Sequence, residues 1–373
     1  MAARTPDELP AELVLDDGAR YPAIWLRDNC TCAGCVVPGS AGSGQKLFGI
    51  TDLPPDLRIE SADREAGTVR VVFAPDGHQA RYDLAWLAAR RPGLAVPPDD
   101  RAEDSKRLWE AADLADRLPG AEWEAFTGEP AERARCLEAL LTLGFVLLRG
   151  VPAGDRAVLD VARSFGYVRA TNYGELFEVR VEENPANLAF SSLPITPHTD
   201  NPYREPVPTI QLLHCLANAA SGGDSGLVDG FRAAAALRRA RPAALDLLAR
   251  TPVTFRYADE HADLTATAPL IGVDPIGRIR SIRFNNRSMC PVALAAGQLP
   301  AFYAAYRAFA ELLSAPAAQL NLRLEPGDCL VFDNTRILHA RTGFTAGGRR
   351  HLQGCYADLD SAASALAVLR RGR

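Results

Sequence analysis

His198 and Asp200 stand one residue apart in "ITPHTDNP". A proline on either side of the pair disfavours a helix. On an extended chain, positions i and i+2 point the same way. An imidazole and a carboxylate aimed at one point are two-thirds of the facial triad that holds non-haem Fe(II). The third ligand must come from the remaining histidines, of which the chain has six in all. His261 lies in a polar loop, His214 sits in the apolar run "IQLLHCLAN" as a core or supporting residue, and His351 directly follows an arginine pair. His339, in "PGDCLVFDNTRILHARTGF", comes just past a strong strand pattern and a turn, where a ligand would return to the mouth of a barrel.

A facial triad leaves three positions open. Two fit a chelating 2-oxo acid and the third fits dioxygen. The far carboxylate of 2-oxoglutarate then needs a buried, fork-shaped donor, which is arginine rather than lysine. Arg350 lies eleven positions after His339 on the strand-like "RRHLQGCYAD", and a hairpin through "RTGFTAGG" would return it to the metal. Asp200 is an intact carboxylate. Halogenation needs a small residue at such a place to admit halide, so hydroxylation is expected.

A second cluster has a different character. Cys30, Cys32 and Cys35 fall in "DNCTCAGC", and His78 falls in "DGHQ". Three thiolates and one imidazole are a closed tetrahedral set for structural zinc. Crowded thiolates repel unless a cation neutralises them, and a set without an open position serves folding rather than catalysis. Gly34 is expected to allow the sharp turn between the second and third thiolates. The other five cysteines, Cys136, Cys215, Cys290, Cys329 and Cys355, are isolated and read as small buried hydrophobes.

The elements that position these groups follow from periodicity. The first ninety residues carry short strand-like runs, "ELVLDDGARYPAIWLRDN" and then residues 57–90, with a hairpin at "TVRVVFAPDGHQARYD" around a Pro-Asp-Gly turn. The Pro-rich, charged stretch 91–105 reads as a linker. Helical patterns follow in "SKRLWEAADLADRL" and in "PAERARCLEALLTLG", which closes at Gly144. Beyond "GFVLLRGVP" the chain alternates short apolar runs with loops. Strands are expected in "PTIQLLHCLAN", "GLVDGF", "RIRSIRFNN", "LNLRLEPGDCLVFDN" and "RHLQGCYAD". One helix is expected near "GFRAAAALRRARPAALDLLAR" and another near "LPAFYAAYRAFAELLSA". The pattern is mainly β with flanking helices, a sandwich or jelly roll. The domains are residues 1–95, small, β-rich and zinc-binding, and residues 106–373, catalytic.

The bulk composition agrees. In 373 residues, 47% are hydrophobic and 23% charged, with a net charge of −5. That is an ordinary globular balance without the basic stripe of a nucleic-acid binder. No apolar run reaches the roughly 20 residues of a membrane span. The first residues lack the apolar segment of a signal peptide. A cytoplasmic protein without nucleic-acid or membrane partners is expected.

Several long strings together resemble the γ-butyrobetaine and trimethyllysine dioxygenase family, within the taurine-dioxygenase-like group of Fe(II)/2-oxoglutarate oxygenases. They are "YPAIWLRDNCTCAGC", "PHTDNPY", "IQLLHCLANAASGGDSGLVDGF", "RFNN", "EPGDCLVFDNTRILHAR" and "RRHLQGCYADLD". The resemblance implies a double-stranded β-helix catalytic domain, a zinc-bearing N-terminal domain, a homodimer and a place in carnitine biosynthesis. It implies that Ser225 joins Arg350 on 2-oxoglutarate. It places Tyr173, Phe177, Phe190 and Tyr356 at an aromatic cage for a trimethylammonium group, which favours π faces because it cannot donate hydrogen bonds. Phe177 stands where the family has tryptophan and Phe190 where it has tyrosine. Asn187 and Asn285 match asparagines at the substrate's carboxylate end, and Asn201 replaces a tyrosine there. The expected reaction is hydroxylation of an unactivated C–H of a small cationic amine or betaine, coupled to conversion of 2-oxoglutarate and dioxygen into succinate and CO2. Trimethyllysine, trimethylaminoethylphosphonate, an amino acid or a natural-product intermediate would need the same iron chemistry with another pocket. A non-catalytic metal-binding module is the alternative from a different class, and it would release no succinate.

Overall fold

The computed structural model describes residues 9–37, 44–93, 105–180, 192–344 and 349–371. The chain divides into two compact units, Met1–Pro97 and Pro98–Arg373. Among the described residues no helix is long and apolar enough to cross a membrane.

In the first unit the alternation in Thr68–Ala74 sends Val69, Val71 and Phe73 inward. This strand is the centre of an antiparallel meander with Arg58–Glu65 and Gln79–Asp83. Thr68 pairs with Asp83 and Val72 with Gln79, so the expected hairpin is present. Leu13, Tyr21, Leu26, Ile59 and Tyr82 complete its core, which also takes in Cys30 and Cys35.

In the second unit two sheets face each other. The larger runs in the order Phe177–Arg180, Arg350–Ala357, Ile210–Asn218, Cys329–Asp333, Phe145–Arg149, Gly120–Glu122. All its pairings are antiparallel except the last. The smaller runs Ile195–His198, Ile337–Arg341, Ser225–Asp229, Leu320–Leu322. Inner strand Phe145–Arg149 reads as a continuous apolar run because both its faces are covered. Phe145, Leu147, Leu330, Phe332 and Leu352 meet Leu227, Leu320, Leu322 and Ile337 between the sheets. The outer face of the larger sheet packs on helices Pro130–Leu143, Ala157–Arg163 and Leu359–Arg371. Val228 and Leu338, on the outer face of the smaller sheet, join helices Gly230–Ala240, Pro242–Arg250 and Leu299–Ser314.

Two helix expectations are corrected. "SKRLWEAADLADRL" forms only a short 3-10 turn at Ala111–Leu114. Tertiary partners claim the groups that a helix would need. Trp109 is fully buried, its indole donates to the Leu143 carbonyl at 2.8 Å, and its backbone N–H points to Asp229 at 3.2 Å. Lys106 caps the Leu141 carbonyl at 2.7 Å. The stretch from Gly230 is two helices rather than one, broken where Pro242 starts the second and cannot continue the first. Helix Pro130–Leu143 does close at Gly144, whose φ of 90° suits glycine. Hairpin Val253–Ala258/Asp263–Ala268 and the C-terminal helix were not anticipated from the sequence.

Candidate active site

The antiparallel register sets His198 directly opposite His339, and their rings lie 4.1 Å apart. The strand carrying His198 ends there, so Asp200 is positioned by something other than strand geometry. Asn334 brackets its backbone. The Asn334 amide accepts from the Asp200 N–H at 2.7 Å and donates to the Asp200 carbonyl at 3.0 Å. The Asp200 carboxylate is thereby turned back toward both rings, with Oδ1 3.4 Å from His198 Nε2 and 3.9 Å from His339 Nε2. One ligand atom from each of the three lies within 4.8 Å of the others.

The surroundings of these groups suit a divalent cation. His198 Nδ1 sits 2.9 Å from the Thr196 carbonyl, which fixes the proton on Nδ1 and leaves the Nε2 lone pair facing inward. Burial, reinforced by the neighbouring His198, pushes the His339 imidazole down to about 3, so it is neutral at ordinary pH. Burial opposes ionisation of Asp200. The two histidines and the Tyr356 hydroxyl outweigh it and hold the carboxyl well below its usual range. Two inward-facing imidazoles and a carboxylate fit Fe(II).

The three groups open into a cavity of about 590 Å³. Ser225 and Arg350 line it, as do Arg287 and Arg341. Arg350 is buried; among the described residues it gives one hydrogen bond, from Nη2 to the Gly223 carbonyl at 3.2 Å, and its Nε has no partner. A buried guanidinium with an unused donor is suited to a carboxylate. Gly223 makes room for it: at φ 77°, a Cβ there would lie 2.9 Å from Arg350 Nε. Arg341 donates to the Leu193 carbonyl at 2.7 Å, and burial pushes it down to about 10.

Aromatic rings form another part of the wall. Phe177 lies 5.1 Å from Tyr356 and 6.5 Å from Tyr173. Tyr173 meets Tyr257 edge-on at 5.9 Å, and Tyr257 stacks on Tyr203 at 5.1 Å. Tyr356 does more than present a ring, since its hydroxyl donates to Asp200 Oδ2 at 2.9 Å. Asn201 is buried with φ 54° and takes a 2.7 Å hydrogen bond from Tyr203 on Oδ1, and its Nδ2 has no partner among the described residues. Asn285 lines the cavity, but its amide is engaged within the protein, giving to the Thr199 carbonyl and accepting from the Arg287 N–H, each at 3.2 Å. Asn187 and Phe190 lie outside the described residues.

Sequence reasoning missed Tyr203, Gln211, Tyr257, Arg287 and Asn334. Tyr203 and Asn334 fall inside the strings that singled out the ligands, "PHTDNPY" and "VFDNT". Tyr257 and Arg287 carry no comparable signal, because a hairpin and a loop tie brings them to the cavity: the Arg256 N–H donates to the Ser288 carbonyl at 2.8 Å. Among the other histidines, His261 is exposed, His214 is fully buried and His351 pairs with Glu178.

In the first unit His78 Nε2 lies 3.2, 3.8 and 3.6 Å from the sulfurs of Cys30, Cys32 and Cys35. Bond lengths at tetrahedral zinc give ligand–ligand edges of about 3.5–4 Å. The set fits that ion. Burial pushes the Cys30 thiol up to about 12, so a cation is what makes its thiolate tenable. Arg27 adds charge from outside, donating to Cys35 Sγ at 3.2 Å and to Asp76 at 2.9 Å. Gly34 is not needed for backbone freedom: it has no positive φ, and a Cβ would meet Cys32 Sγ at an ordinary 3.9 Å. All eight cysteines are free thiols, and of the isolated five only Cys290 is not fully buried.

Residues 102–356 match the family described as taurine catabolism dioxygenase TauD, TfdA family. Residues 11–88 match the family described as gamma-butyrobetaine hydroxylase-like, N-terminal. The chain is 37% identical to gamma-butyrobetaine dioxygenase from Pseudomonas sp. (strain AK-1), over 93% of this chain and 90% of that protein. It is 29% identical to trimethyllysine dioxygenase from Meyerozyma guilliermondii, over 95% and 92%. A crystal structure of a taurine dioxygenase from Burkholderia xenovorans aligns with a TM-score of 0.50 at 17% identity, over 64% of this chain and 87% of that one, a likeness of fold.

Proposed function

We propose, for a chain that belongs to the taurine catabolism dioxygenase TauD, TfdA family, that it hydroxylates a small trimethylammonium carboxylate of the γ-butyrobetaine type with Fe(II), 2-oxoglutarate and dioxygen. The observation that carries this reading is the convergence of His198, Asp200 and His339 on one point of a cavity that also holds a buried, under-used Arg350. Near-complete alignment with gamma-butyrobetaine dioxygenase supports the substrate class.

In this reading the three residues hold iron, and Arg350 with Ser225 anchors the far carboxylate of 2-oxoglutarate. Iron held there with 2-oxoglutarate would supply the oxidising power for the hydroxylation, with succinate and CO2 as co-products. The chain's own contribution is placement and exclusion of water. Tyr173, Phe177, Tyr203, Tyr257 and Tyr356 offer π faces to the quaternary ammonium. Asn201 Nδ2 and the Arg287 guanidinium offer donors to the anionic end. The two facing sheets are assigned as the walls of a double-stranded β-helix, residues 1–95 as the zinc-bearing domain and 106–373 as the catalytic domain. A cytoplasmic homodimer completes the proposal, and sedimentation of the zinc-loaded protein measures the dimer.

A second substrate reading has one specific observation in its favour. Arg287 adds a full positive charge at the anionic end, which suits a phosphonate better than a carboxylate. The test incubates the protein with Fe(II), 2-oxoglutarate and air in the presence of γ-butyrobetaine, trimethyllysine or trimethylaminoethylphosphonate. Succinate and a hydroxylated amine should appear together with one of them. Succinate formation that no amine raises above the amine-free rate would overturn the reading.

A further inference from the structure

Gln211 and Tyr356 are direct cross-strand partners in the larger sheet, and both are buried. Both donate to the same atom: Gln211 Nε2 and the Tyr356 hydroxyl each lie 2.9 Å from Asp200 Oδ2. A carboxylate oxygen has two lone pairs. Two donors fill those of Oδ2, and Oδ1 is left alone to face His198 and His339. An unrestrained carboxylate can ligate through both oxygens, and it would then occupy one of the positions that the 2-oxo acid and dioxygen need.

We propose that Gln211 and Tyr356 are a two-donor latch that restricts Asp200 to one-oxygen ligation, and that Tyr356 ties this latch to the substrate cage. The second half rests on its ring. The same side chain lies 5.1 Å from Phe177 and lines the cavity. Phe177 in turn is seated on Gly354, where a Cβ would come within 2.2 Å of the ring. A cation entering among these rings presses on the one whose hydroxyl holds the metal ligand. Both residues are positioning residues: they act through Asp200.

The inference rests on Asp200 being an iron ligand, and the test separates the two ideas. Tyr356→Phe keeps the ring and removes the hydroxyl; Gln211→Leu removes the other donor at similar volume. The anaerobic protein is titrated with Fe(II), then with 2-oxoglutarate while its visible absorption is followed, and succinate and hydroxylated amine are counted in air. Each variant should bind Fe(II) about tenfold more weakly, as loss of a group supporting a ligand does. Each should bind 2-oxoglutarate more weakly, and Tyr356→Phe should release more succinate per hydroxylated amine than the wild type. A thermal melt identifies any variant that has not folded, and the other then decides. Two folded variants with wild-type metal affinity and a wild-type succinate-to-product ratio overturn the latch. A wild-type protein that binds no Fe(II) overturns the iron reading beneath it.

Discussion

His214 and Arg287 are the side chains whose chemical surroundings make the sharpest demands on experiment. His214 is fully buried, and burial outweighs a backbone contact with Val151 to hold its pKa below the ordinary value. The unfolded chain takes up a proton below about pH 6.5, while the folded protein resists it. Stability should therefore fall as pH drops below that value, and replacing His214 by Leu should flatten the fall in thermal melts between pH 7 and 5. Arg287 has no hydrogen-bond acceptor for its guanidinium among the described residues. A hydrogen bond to a charged group contributes about 1.5–3 kcal/mol. Arg287→Leu should accordingly raise KM for an amine with an anionic terminus about ten- to a hundredfold, and leave Fe(II) binding unchanged. At this scale the sequence was readable where chemistry forces spacing. His198 and Asp200 stand one residue apart, although Asn334 rather than a shared strand aims Asp200, and the cysteines share one loop. Gln211 and Tyr257 were not readable, because a glutamine in an apolar strand or a tyrosine in a hairpin acquires a role only from what the fold sets opposite it.

At the scale of elements, the strand carrying His339 depends on a buried hub. Arg336 meets Asp229 through two hydrogen bonds at 3.0 and 2.7 Å, and both side chains are fully buried. Arg336 also caps the Thr142 and Arg107 carbonyls, and Asp229 caps helix Gly230–Ala240. Breaking such a pair from one side leaves an uncompensated charge, so Arg336→Met should cost about 3–5 kcal/mol in chemical denaturation. The same hub explains why the stretch around Trp109 is not the helix its composition suggests: its backbone and indole are used by Asp229 and Leu143. Strand periodicity survived because both faces of each inner strand are covered, and the helix pattern failed where tertiary hydrogen bonds outbid local preference. Gly354 offers a second test. A valine there displaces Phe177 from the cage, and loss of a cation–π contact of about 0.5–2 kcal/mol should raise KM for the amine about two- to thirtyfold with 2-oxoglutarate affinity retained.

The whole molecule combines a unit carrying a Cys3His cluster with a dioxygenase-family unit. The zinc-type cluster draws on a loop at Cys30–Cys35 and a hairpin turn at His78, so it closes the first unit upon itself. A strong chelator should melt that unit, seen as loss of its protection from proteolysis, and added Zn(II) should restore it. The stretch between the two patterns is rich in proline and charge, and the two compact units divide between Pro97 and Pro98. The account as a whole stands on the triad directing oxygen into two products. Reaction under 18O2 with 2-oxoglutarate and γ-butyrobetaine or its phosphonate counterpart, read by mass spectrometry, tests this most directly. One labelled oxygen in succinate and one in the hydroxylated amine, with both products absent in His339→Ala, is the predicted result. Succinate that carries no label, or a product that forms equally well without His339, would contradict it.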